Sequence, residues 1–249
     1  LRQTDRAQTS YTDAMTVAST GRRTFFHQRG ANALLGESDF DFTQTSARIF
    51  HLGYLMLLDE MDREVADGGS IAARVLRAAT EAGLLTCVDI VSTENPRFRE
   101  IAEAALPHTD YLVINEIEAG KVAGVDLRGV IDPSIIAKAA KKLLDQGVRQ
   151  QVIIHFEAGA VAVEKGGSIV TQGSLELPAG FIVGATGAGD AFAAGYLHGL
   201  HEGWEAVRCL KLGVCTAAAC LTDATPSRGL RSVAECLELA AKYPQRRVG

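Results

Sequence analysis

The run Gly187-Ala188-Gly189-Asp190-Ala191-Phe192-Ala193-Ala194-Gly195-Tyr196 sets three small residues and an acid directly before an apolar helical segment. A helix N-terminus offers backbone N–H groups without intrahelical partners and a partial positive charge, which together attract anions. Glycine lets that backbone close on an anion with no Cβ in the way. Asp190 then admits two readings. It is a favourable first-turn acid in a capped helix, or a base that takes a proton from a nucleophile attacking a phosphate bound at the turn. Beyond it, Phe192, Tyr196, Gly199 and Leu200 recur at helical spacing, so one stripe faces a core. Gly195 and Gly199 each cost about 1 kcal/mol relative to Ala inside a helix, a cost expected where another backbone comes close. The segment reads as a buried helix aimed end-on at something.

The surrounding chain is compatible with such a helix. Its 249 residues are 47% hydrophobic, enough to bury a substantial core. A net charge of −5 argues against a nucleic-acid partner or an anionic membrane surface. No apolar run approaches the roughly 20 residues that span a bilayer, and no signal peptide is recognisable, so a soluble cytoplasmic protein is expected. Cys87, Cys209, Cys215, Cys220 and Cys236 form no C-x-x-C pair and lie mostly in apolar settings, which suits buried thiols in a reducing compartment.

Local signals divide the chain into hairpins and an α/β alternation. Thr12 to Phe26 reads as a β-hairpin with turn chemistry at Ser19-Thr20-Gly21. After Gly30-Ala31-Asn32-Ala33, strands are expected at 47–52, 84–89, 110–115 and 151–156. Those at 84–89 and 110–115 lack polar alternation, which suits central strands covered on both faces. Ser70 and Asp132 are N-caps for helices ending at Gly83 and Gly147, with Pro133 at the first helical position. A second hairpin is expected over 159–171, and further helices over 205–221 and 232–242. The order implies a mostly parallel sheet with ligands at the carboxyl ends of its strands. We read residues 1–34 as a partial β-lid and its return to the core, and 35–249 as an α/β nucleotide-binding core.

Asn115 and Glu118 follow directly after an apolar strand, where α/β proteins bind ligands, and three residues apart on a helix start they face the same way. They suit a capping Asn with a solvated Glu, and equally a pair of hard oxygen ligands for Mg²⁺, direct or through its waters. His155 reads as a hydrogen-bonded histidine at a strand end.

Thr186-Gly187-Ala188-Gly189-Asp190-Ala191-Phe192 resembles the C-terminal signature of the ribokinase-like (PfkB-type) carbohydrate kinases, and Asn115-x-x-Glu118 resembles their Asn-x-x-Glu motif. The resemblance implies a three-layer α/β/α fold with a mostly parallel central sheet and a small β-lid. It implies an ATP-dependent kinase phosphorylating an alcohol group of a small sugar or nucleoside-like substrate. Asp190 would be the catalytic base, and Gly187, Ala188 and Gly189 the anion hole. Asn115 and Glu118 would handle Mg²⁺, while Thr186, Gly159, Thr225 and Gly229 would lie along the nucleotide. Phe25, Phe26 and Asn32 would belong to the lid and substrate side, although Phe25 and Phe26 equally suit packing of the hairpin on the core. Lids of this kind often pair edge strands, which implies a homodimer.

Three departures from the family pattern stand out. Gly184-Ala185 occupies the place of Asp-Thr, and His155-Phe156-Glu157 the place of Thr-x-Gly. Nothing corresponds to the strands and helices that precede the lid, so the chain is expected to start inside it. The alternative these departures support is a truncated, non-catalytic relative that binds nucleotide or a partner without turnover.

Overall fold

The computed structural model describes residues 3–17, 23–66 and 69–248. The chain divides into two compact units, Leu1–Thr109 and Asp110–Gly249.

In the first unit, β1 (Tyr11–Thr16) and β2 (Arg23–Gln28) pair antiparallel, with Asp13 opposite Phe26 and Ala14 opposite Phe25. This is the expected hairpin; its turn residues Ser19, Thr20 and Gly21 lie outside the described residues. The chain then passes through three short 3-10 turns, Gly30–Leu34, Glu37–Asp39 and Phe42–Gln44, which no periodicity had signalled. Parallel pairing of β3 (Ile49–Leu55) with β4 (Leu85–Ile90) follows, joined through α1 (Ile71–Glu81). Ser70 caps α1 as expected, its Oγ accepting from the Ala73 amide at 3.1 Å. Helix α2 (Phe98–Ala105) closes the unit, with Phe98, Ile101 and Ala105 buried.

The second unit holds β5 (Tyr111–Asn115), α3 (Glu116–Ala123), α4 (Pro133–Asp145) and β6 (Gln151–Phe156). It continues with β7 (Gly159–Glu164), β8 (Ile169–Gly173), α5 (Ala188–His201), α6 (Ala206–Cys220) and α7 (Val233–Lys242). Strands β5 and β6 run parallel, while β7 and β8 add antiparallel neighbours, the second expected hairpin. Val152, Ile153, Ile154, Ala160, Val161 and Val163 are fully buried although they point alternately to both faces. Both faces are therefore covered: α4 packs on β6 and β7, and α6 on β7 and β8. The three layers follow from strands that are apolar on both sides.

Helices α5 and α6 make the most extensive helix–helix contact. A Cβ on Gly195 would lie 2.4 Å from Thr216 Oγ1 and 3.0 Å from Gly213 Cα. One on Gly213 would lie 2.9 Å from the Phe192 ring. The helical glycines are there because two backbones touch.

Candidate active site

Helix α5 begins at Gly187, whose φ of +81° lies in the left-handed region. Any Cβ there would sit 2.5 Å from the Pro226 carbonyl oxygen. The Gly187 carbonyl accepts the first intrahelical bond, from Ala191 N at 2.8 Å. Ahead of that bond, the amides of Gly189 and Asp190 donate to no acceptor among the described residues. The turn thus presents unsatisfied donors at the positive end of a 14-residue helix.

Asp190 stands in the first turn of α5 and is exposed to solvent. Its carboxylate makes no hydrogen bond or ion pair among the described residues. Partial desolvation by the surrounding protein pushes its pKa above the usual carboxylate value. An unpaired carboxylate with a raised pKa is suited to accept a proton.

The turn is braced by a loop distant in sequence. Val183 N donates to Leu221 O at 2.8 Å, and the Cys220 thiol lies 3.3 Å from Pro226 O and 3.5 Å from Thr186 O. Gly184 lies so close to this loop that a Cβ would be 2.8 Å from Ala224 Cα. Backbone apposition therefore supports the turn at Gly184-Ala185. Thr225 is tied to Asp223 Oδ1 through its amide at 2.8 Å and its hydroxyl at 2.7 Å, and Gly229 packs against the Ala219 carbonyl.

At the carboxyl end of β5, Asn115 and Glu118 form a reciprocal capping box. Asn115 Oδ1 accepts from Glu118 N, and Glu118 Oε2 accepts from Asn115 N, both at 2.9 Å. Glu118 is only 4% exposed, so it is not the solvated side chain of the simple capping reading. Among the described residues, no group of three or more His, Cys, Asp or Glu converges to hold a metal ion.

The β5–β6 register sets His155 beside Asn115. From there the His155 ring reaches α5: a Cβ on Gly189 would be 3.3 Å from its Cε1, and its ring centroid lies 5.1 Å from that of Phe192. The ring nitrogens make no hydrogen bond among the described residues, contrary to the reading of His155 as hydrogen-bonded, and burial lowers its pKa to about 4. His155 is a neutral group beside the glycine turn, which its strand-end position alone did not reveal.

A cavity of about 410 Å³ opens next to this constellation, within the usual size range of small-molecule sites. Gly159, Ala188, Gly189 and His155 contribute to its wall, together with apolar side chains such as Leu175 and Val214. Of the expected nucleotide residues, Gly159 lines the cavity, whereas Thr186, Thr225 and Gly229 are not in its wall and take part in the contacts that brace the turn. Phe25, Phe26 and Asn32 belong to the first unit, where all three are exposed, so Phe25 and Phe26 do not pack their hairpin on a core there.

Against known proteins, the model of the pfkB family carbohydrate kinases matches residues 1–231. The chain is 27% identical over 161 residues to a ribokinase of Arabidopsis thaliana, covering 65% of this chain and 40% of that protein. It is 29% identical over 127 residues to an adenosine kinase of Schizosaccharomyces pombe, covering 50% and 37% respectively. The aligned stretches thus span about two fifths of these relatives' length. The structure of Arabidopsis thaliana ribokinase complexed with ribose and ATP superposes with a TM-score of 0.71 at 22% identity, over 94% of this chain and 70% of that one. That likeness shows a shared three-layer α/β fold. No helix among the described residues is long and apolar enough to cross a membrane.

Proposed function

Since this chain belongs to the pfkB family of carbohydrate kinases, we propose that it transfers a phosphoryl group from ATP to a hydroxyl of a small sugar or nucleoside-like substrate. The observation that carries the reading is the α5 turn: donor amides without acceptors, then an unpaired carboxylate, beside a cavity of ligand size.

In this proposal Asp190 takes the proton of the acceptor hydroxyl as its oxygen bonds to the γ-phosphorus and ADP departs. Its raised pKa strengthens it as a base, and its lack of a partner leaves both oxygens available. Gly187, Ala188 and Gly189 supply the anion hole, in which the Gly189 amide, without an acceptor of its own among the described residues, meets charge that builds on the transferred group. Thr186, Gly159, Thr225 and Gly229 shape the nucleotide side. In the first unit, Phe25, Phe26 and Asn32 are assigned to the acceptor.

Mg²⁺ would neutralise the donor's phosphates. It keeps several waters and needs only one or two protein oxygens beside the phosphates. That demand fits the half-buried Asn115 and the buried Glu118, which no third acidic ligand joins among the described residues. Five buried free cysteines suit a reducing compartment, and we assign the protein to the cytoplasm. Tyr11, Met15, Val17, Phe25 and Phe26 are all more than half exposed on or beside the hairpin, which supports a homodimer formed through it.

The test is ADP release from ATP and Mg²⁺ with a panel of pentoses, hexoses and nucleosides. Turnover with at least one acceptor is expected, with a loss of about 10²- to 10⁴-fold in Asp190→Asn while nucleotide binding persists. Full activity in Asp190→Asn would remove the base assignment. Nucleotide binding without turnover on any acceptor would favour the non-catalytic reading, which the substitutions at Gly184-Ala185 and His155-Phe156-Glu157 also suit.

A further inference from the structure

Beyond α7 the chain runs back along the segment that follows β8. Glu176 N donates to Pro244 O at 2.8 Å, Arg246 N donates to Ser174 O at 2.7 Å, and Leu175 and Gln245 form an antiparallel bridge. Gly173 admits this pairing, because a Cβ there would lie 1.9 Å from the Arg246 carbonyl oxygen. Tyr243 adds an edge-on ring contact with Phe181 at 5.3 Å. The segment lies outside residues 1–231, the part matched by the family model, and it still forms a wall of the cavity beside α5.

What it brings there is a charge. Arg246 is the one guanidinium or ammonium group among the described residues lining that cavity. Its NH1 sits 3.5 Å from Glu157 Oε1, with the two side chains 42% and 87% exposed. A pair so long and so wet contributes little, so the guanidinium is free to leave it. Acidic groups stand close by: Glu157 in the wall, and Glu116 near enough to be perturbed by it. A polyphosphate entering such surroundings needs a cation, and guanidinium forks match phosphate oxygens.

We propose that Arg246, delivered by the pairing of residues 244–246 with 174–176, is a nucleotide-binding residue that exchanges Glu157 for the phosphate chain of the donor. The proposal rests on the kinase reading above. It makes the segment after α7 part of the donor site.

The test is calorimetric titration of the intact protein with Mg-ATP, ADP and adenosine. Arg246→Gln is expected to raise the Kd for ATP about tenfold, the worth of one charge-assisted hydrogen bond, and the Kd for adenosine less than twofold. Arg246→Lys recovers part of the loss. Gly173→Ala, which keeps Arg246 and dislodges its strand, weakens ATP binding comparably. Glu157→Gln tightens ATP binding, and that gain disappears when Arg246 is also Gln. Equal shifts for ATP and adenosine, or an ATP Kd within twofold of wild type in Arg246→Gln, overturn the assignment and leave the kinase reading standing. Failure of the wild-type protein to bind any of the three ligands overturns both.

Discussion

Replacing Gly195 by Ala sets two magnitudes against each other. Alanine is about 1 kcal/mol better than glycine inside a helix, so propensity alone predicts stabilisation. The α5–α6 contact predicts the reverse. The new Cβ would stand 2.4 Å from Thr216 Oγ1, 3.0 Å from Gly213 Cα and 3.1 Å from Gly213 N. Thr216 cannot simply swing aside, because its hydroxyl donates to Ala191 O at 2.7 Å and lies 3.0 Å from Leu212 O. The other two atoms are backbone, so the helices must separate. Overpacking of this kind costs about 1–3 kcal/mol, and the backbone atoms place this case at the upper end. The net expectation is destabilisation by about 1–2 kcal/mol, read as a lower urea midpoint and a melting temperature down by roughly 2–8 °C. Gly166→Ala is the control, since nothing lies within 4 Å of its Cβ, and should be near neutral. Combining Gly195→Ala with Thr216→Ala should cost less than the sum of the single changes, because the closest clash is gone. A neutral or stabilised Gly195→Ala would show that the helices have slack, and would refute the argument that contact fixes these glycines.

Other substitutions test other parts of the structure. Gly187→Ala adds left-handed strain to a 2.5 Å approach to Pro226 O and should destabilise by at least about 2 kcal/mol in urea unfolding; an unchanged midpoint would contradict this. Asp62 in the first unit is 8% exposed, and burial raises its pKa to about 6 although it accepts from Met56 N at 3.1 Å. The folded protein therefore holds that proton more tightly than the unfolded chain, whose carboxyl titrates near pH 4. Its contribution to stability is complete below about pH 4 and lost as the pH rises through 6, with a ceiling of about 3 kcal/mol. Asp62→Asn should melt higher than wild type at pH 8 and lose that advantage by pH 4; no gain at pH 8 would sink the prediction. Glu118→Ala leaves the Asn115 amide without its carboxylate and should cost about 1 kcal/mol, measured by thermal melting.

Much of this molecule was legible in its sequence because the signals were local. Ser70 and Asp132 announce helices through side chains that reach two or three residues ahead. The apolar runs of β5 and β6 announce strands covered on both faces, and the order of elements announces the layered fold. The glycine turn and Asp190 were visible for the same reason, since a helix start and its first-turn acid are neighbours along the chain. The glycines of α5 likewise announced that some backbone comes close, and only the packing shows that it is Gly213.

The remaining features of the site depend on contacts across long sequence separations. Gly184 and Gly187 are flat against Ala224 and Pro226, His155 lies beside Gly189, and Gly173 makes room for Arg246. A glycine in a sequence reports that something approaches and never what, because the approaching atom is backbone and carries no residue signature. Arg246 shows this most plainly: in the sequence it is half of a basic pair, Arg246-Arg247, too short to make a binding stripe. Strand pairing more than seventy residues back along the chain sets it, beside Glu157, in the wall of a largely apolar cavity.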